Sequence, residues 1–107
     1  MTPLRVVPRR QAHRDFDSAF DYYLAKGAPD AAYQFADALD TAYATIAEHP
    51  GIGSRRHGED LDIDGLRTWP VGSFPFLVFY FDQHDEIDVW RVLHMRRDVP
   101  LALEDRD

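Results

Sequence analysis

Four side chains in the second half of the chain, Arg67, His94, Arg96 and Arg97, are of types that could act on a phosphodiester. Cleaving RNA takes a base to remove the 2′-hydroxyl proton, cations to hold the charge of the phosphorane, and an acid for the leaving oxygen. One histidine and three arginines supply parts of that set. Each also has a plainer reading. A strand arginine such as Arg67 commonly pairs with an acid across the sheet, His94 fits a satisfied histidine at a strand end, and Arg96-Arg97-Asp98 fits a solvated turn.

Other chemistries find less support. His49, His57, Glu59, Asp60, Asp62 and Asp64 lie close together in sequence. Their spacing is not that of a calcium loop, and no histidine pair stands at i, i+4, so a solvated acidic loop is expected and no metal. Gly51, Gly53 and Gly58 do not make a phosphate loop, because no strand–glycine–lysine–helix unit is present. His13 and Ser18 share a helix, but five residues apart they do not share a face. The absence of cysteine removes disulfides, thiolate metal sites and cysteine nucleophiles. No cofactor is expected.

The 107 residues fit a single core, and a hydrophobic fraction of 45% argues against disorder. The formal charge of -7 argues against a protein that coats nucleic acid or reads its sequence directly. Charge is unevenly spread: residues 1–14 hold Arg5, Arg9, Arg10 and Arg14 with no acid, whereas residues 15–50 are strongly acidic. Cations are arginines except Lys26. The N-terminus lacks a signal-peptide stretch, and no window reaches the roughly 18 apolar residues of a membrane helix, so a soluble cytoplasmic protein without membrane contact is expected.

The elements that must position these residues follow from the apolar period. Leu4–Val7 between Pro3 and Pro8 reads as a strand. Ala12, Phe16, Ala19, Phe20 and Tyr23 mark one helix face, with Asp15, Asp17, Asp21 and Lys26 on other faces, and Gly27 and Pro29 end the helix. A second helix opens around Pro29 and runs to His49-Pro50-Gly51, its apolar face including Phe35, Leu39, Tyr43 and Ile46; the short link predicts an antiparallel hairpin. Residues 50–65 read as a loop. Leu66–Val71, Phe74–Phe81 and Ile87–His94 then form a three-stranded meander, with Pro70 and Pro75 pointing to a bulge or an edge position in its first hairpin. The expectation is one α+β domain over residues 1–107, ordered β-α-α-β-β-β, its helical hairpin packed on a small, mainly antiparallel twisted sheet, and residues 99–107 a loosely held tail.

This order resembles the RelE/ParE superfamily of type II toxin–antitoxin systems. The likeness is carried by His49-Pro50-Gly51-Ile52-Gly53 at a helix end, Gly65-Leu66-Arg67 opening a strand, Phe79-Tyr80-Phe81 in the middle strand, and Val92-Leu93-His94-Met95-Arg96-Arg97-Asp98. The last string is similar to the V-L-H-x-R-R-D ending of ParE-like members, and the resemblance covers nearly the whole chain.

The resemblance implies a toxin that arrests growth and stabilises plasmids, held silent in a hetero-oligomer with a ParD-like antitoxin. ParE-like members poison DNA gyrase by protein contact and are not enzymes, so Arg67, His94, Arg96 and Arg97 become target-contact candidates and no catalytic residue is assigned. RelE-like members cut messenger RNA in the ribosome with lysines, an arginine and often a C-terminal tyrosine. Here the first meander strand reads Leu66-Arg67-Thr68-Trp69, the next carries Pro75-Phe76-Leu77, and no tyrosine follows Arg97. An mRNA endonuclease and a non-toxic antitoxin-binding homologue remain the alternatives. In ParE-like complexes the antitoxin wraps the hairpin and sheet, which makes Tyr22, Tyr33 and Trp69 its candidate contacts; large aromatics beyond core needs often anchor interfaces. Toxins of this kind are commonly basic, whereas this chain is acidic, so steering would rest on local cations at residues 5–14, 55–56 and 91–97.

Overall fold

The helical hairpin forms where the apolar spacing places it. In the computed structural model, which describes residues 2–96 and Leu103, strand β1 spans Arg5–Pro8, helix α1 Arg10–Ala25 and helix α2 Pro29–Glu48. α1 closes with Gly27 at φ 72°, where the Gly27 N–H donates to Leu24 O and the Ala28 N–H to Tyr23 O. That pair of bonds satisfies carbonyls the helix end leaves open, and only glycine takes the left-handed turn without strain. Pro29 then starts α2 at a position whose N–H is not needed.

Residues 50–65 are not wholly loop. Arg56–Asp60 form a short helix, α3, too brief to show a period. Its Gly58 lies so close to β2 (Leu66–Pro70) that a Cβ there would come within 2.6 Å of Leu66 O. Strands β3 (Phe76–Asp82) and β4 (Glu86–His94) complete a four-stranded sheet of order β1-β4-β3-β2. β1 pairs in parallel with β4, and the other pairs are antiparallel. Pro70 ends the edge strand β2, a place that does not need its missing N–H. The bulge falls elsewhere, in the β3–β4 ladder: Phe79 faces Arg91 and Tyr80 faces Val89, which leaves Trp90 unmatched.

Both faces of the sheet are covered, so β4 buries five consecutive residues where a one-sided strand would alternate. On one face the hairpin packs Ala12, Ala19, Phe35, Leu39, Ala42 and Ile46 against Val78, Tyr80, Ile87, Val89 and Val92. Phe35 is the hub, fully buried with ring centroids 4.9 Å from Phe76 and 5.4 Å from Phe74. Burying one such side chain contributes about 1.5–3 kcal/mol. On the other face Leu66, Phe79, Trp90 and Leu93 meet Leu61, Ile63 and Leu103. Trp90 is thus a core residue. The tail expected to be loosely held lies, apart from the buried Leu103, outside the described residues.

Asp15 corrects a sequence expectation. It does not lie apart from the apolar face of α1: it is buried beside Ala12 and Ala19, 9% exposed. Arg91 of β4, 3% exposed, donates to it from Nε at 2.8 Å and Nη2 at 2.9 Å. β1 ends level with Val89, so β4 has an open edge beyond it, and Asp15 Oδ2 accepts the Val92 N–H there at 2.9 Å. The carboxylate stands in for the strand that has stopped.

Candidate functional site

Arg67 and Tyr80 face each other across β2 and β3 and close on the same loop. The Arg67 guanidinium donates from Nη1 to Gly51 O at 3.1 Å and Gly53 O at 2.9 Å. Tyr80 Oη accepts the Gly53 N–H at 2.9 Å and donates to Pro50 O at 2.8 Å. Burial holds the Tyr80 phenol above its ordinary pKa, only partly offset by the Gly53 bond and the nearby Arg67 charge. Ser54 and Thr68 then exchange both backbone bonds, extending the sheet past β2. Gly53 is required here, since a Cβ would lie 2.5 Å from Tyr80 Oη and 2.9 Å from Thr68 O. The loop from His49 to Gly53 is therefore clamped to the sheet, and Arg67 is a positioning residue for it. Its partners are carbonyls, not an acid across the sheet.

A groove of about 560 Å³ opens between α1 and the far end of β3 and β4. Ala19, Tyr23, Phe76 and Val92 make its floor, and Tyr22 and His94 stand on opposite walls. Tyr22 is 57% exposed, with Lys26 Nζ 5.6 Å from its ring centre. His94 lies edge-on to Phe76 and accepts the Arg96 N–H at Nδ1, 3.0 Å away. Burial and the neighbouring Tyr22 raise the pKa of Tyr23. Asp15 lines the groove too, but its carboxylate is committed to Arg91 and Val92. An aromatic floor with few polar groups suits binding an apolar side chain better than moving a proton.

The target-contact candidates are only partly brought together. Arg67 stands opposite Tyr80, and His94 opposite Phe76, four residues away along β3. At a rise near 3.3 Å per residue that is about 13 Å, in addition to the width of the intervening strand. His94 and the exposed Arg96 are neighbours; Arg97 lies outside the described residues. Of the antitoxin candidates, Tyr22 joins His94 in the groove. Tyr33, 62% exposed, packs edge-on against Phe20 across the hairpin. Trp69 sits half-buried in a separate depression of about 390 Å³, beside Ala38 and Ala42 of α2.

Two polar devices escaped the sequence reading. Asp15–Arg91 has a visible trace only on β4, where Arg91 is a charge between Trp90 and Val92; Asp15 stands between Arg14 and Phe16. Arg9 is the second. It makes a two-pronged pair with Asp88 at 2.9 and 2.7 Å and lies over the rings of Phe81 and Trp90 at 5.9 and 5.8 Å. No pattern along the chain announces that one.

Residues 6–99 match the family model described as ParE toxin of type II toxin-antitoxin system, parDE. The chain belongs to the ParE toxin family. A solved structure of the chromosomal ParDE TA system from P. aeruginosa shares the fold, with a TM-score of 0.71 and 19% identity over 85% of this chain and 95% of that one. No curated protein matches the chain. The family match spans both the clamped loop and the groove of this ParE-family chain. Among the described residues no helix is long and apolar enough to cross a membrane.

Proposed function

We propose that this chain is a gyrase-directed toxin that acts by protein contact and is neutralised by a cognate ParD-like antitoxin in the cytoplasm. Membership of the ParE toxin family supports the toxin part. The observation that carries the non-enzymatic part is where the cations go. The guanidinium of Arg67 serves loop carbonyls and that of Arg91 serves a buried carboxylate, so neither stands with His94 as a phosphate site would need. His94 and Arg96, with Arg97, are the proposed target contacts, and Tyr22, Tyr33 and Trp69 the proposed antitoxin contacts.

The test mixes the purified protein with gyrase from its own host, ATP and supercoiled plasmid, then digests the protein. Linear DNA that disappears when antitoxin is added is the expected result. Plasmid left intact and normally supercoiled at excess protein would sink gyrase poisoning. Transcript cleavage on translating ribosomes would then make the chain an endonuclease, and growth unaffected by expression would make it a non-toxic homologue.

A further inference from the structure

The clamped loop holds out a side chain that the fold does not use. Ile52 is 40% exposed and belongs to neither core cluster of the described residues. The backbone around it is tied at several points. The Ile52 N–H donates to His49 O at 2.9 Å, and Ser54 exchanges bonds of 2.8 and 2.9 Å with Thr68. Arg67 and Tyr80 fasten Pro50, Gly51 and Gly53 from the sheet. Tyr80 is a fully buried core residue, yet its hydroxyl serves this outward loop. Ordering a loop costs conformational entropy. Isoleucine is stiff as well, because branching at Cβ restricts χ1. Ile52 has thus already lost the freedom that binding would take from it, which favours a tight contact.

The surroundings decide the kind of partner. Arg55 and Arg56 follow the loop, and Glu59, Asp60, Asp62 and Asp64 come next, all exposed. Cations outnumbered by acids do not suit a phosphate backbone. An apolar anchor with a polar rim of both signs is the make-up of a protein interface. Position separates the loop from the proposed antitoxin contacts. Tyr33 lies near the start of α2 and the loop follows its end; Tyr33 to Glu48 is about 22 Å at the helical rise. Tyr22 lines the groove, and Trp69 is turned into the depression beside Ala38 and Ala42.

We propose that Ile52 is an anchor for the toxin's target protein, entering a pocket of apolar side chains there, with Arg67 and Tyr80 as its positioning residues. The proposal rests on the gyrase reading above and adds a second contact to the corner formed by His94 and Arg96.

The test runs wild type and variants of the full chain in the gyrase and plasmid assay, scoring the concentration that gives half-maximal linear DNA. Affinity for the purified product of the reading frame adjacent to the toxin gene is measured on the same samples. Circular dichroism melts check that each variant folds. Ile52→Asp should need at least about tenfold more protein, while its antitoxin affinity stays within about twofold. Ile52→Val, one methylene shorter, should cost about fourfold. Tyr80→Phe, which loosens the loop and leaves Ile52 in place, should lower potency and speed proteolytic cleavage around residues 50–53 together. Full potency in Ile52→Asp, or in a Tyr80→Phe variant whose loop is cleaved faster, would overturn the proposal and leave the gyrase reading intact. Antitoxin affinity lost along with potency would assign the loop to the antitoxin instead. Wild-type protein that leaves the plasmid supercoiled would sink the gyrase reading and this contact with it.

Discussion

Asp15 and Arg91, 76 residues apart, meet as a two-pronged buried pair that fastens the first helix to the last strand. Three hydrogen bonds converge on one carboxylate, the third from Val92 N–H. Removing one partner leaves a buried charge uncompensated, which costs about 3–5 kcal/mol. Asp15→Leu and Arg91→Met should each lower the unfolding free energy read from urea titration by that order, and the double variant should recover part of the loss. Single variants within about 1 kcal/mol of wild type would show that the pair does not hold the fold.

The Tyr80 hydroxyl serves the same loop at two points, so Tyr80→Phe removes both bonds and strands the Gly53 N–H. A loss of about 1–3 kcal/mol is expected. Arg67→Met should free the Gly51 and Gly53 carbonyls and speed proteolytic cleavage around residues 50–53. Unchanged cleavage with lost target binding would instead make Arg67 a direct contact.

Alkaline pH should loosen the protein through its phenols. Burial, with Asp15 and Asp40 adding to it, raises the pKa of Tyr43 strongly, and burial also raises Tyr23 and Tyr80. The folded chain therefore keeps phenol protons that the unfolded chain gives up, and stability is whole below the ordinary value of 10.0. It falls as pH climbs beyond that. Urea unfolding at a series of pH values, with tyrosinate absorbance alongside, reads this out; a flat profile between about 9 and 11.5 would refute it.

Tyr22 and Trp69 line separate depressions on either side of the hairpin. If both anchor the antitoxin, their truncations act independently. The double variant should lose the sum of the single losses to within about 0.5 kcal/mol. Coupling well beyond that would mean one shared contact.

Much of this was legible along the chain, for physical reasons. The hairpin follows from Phe16, Phe35 and Leu39 at helical spacing, and its turn from Gly27 and Pro29. The strands follow from β-branched and aromatic runs. What escaped depends on partners that no period encodes. Asp15 reads as lying off the apolar face of its helix, although it stands one turn before Ala19, with which it lines the groove beside β4. Arg67 gave no hint that its acceptors would be carbonyls of a loop 14 residues earlier. The bulge at Trp90 left no mark in the residue pattern of β4, whose run from Val89 to Leu93 is buried on both faces.

The parallel pairing of β1 with β4 has a consequence for synthesis. Arg5 finds its place beside Glu86, so the first strand to leave the ribosome has no neighbour until nearly the last one follows. At about 5–20 residues per second the stretch between Arg5 and Glu86 takes several seconds to make, and through that time β1 has no strand to pair with. Truncated products lack both the floor of the groove and the arginine that neutralises Asp15. A chain cut short before Glu86 therefore has a first strand with nothing to pair with and an Asp15 carboxylate without its arginine.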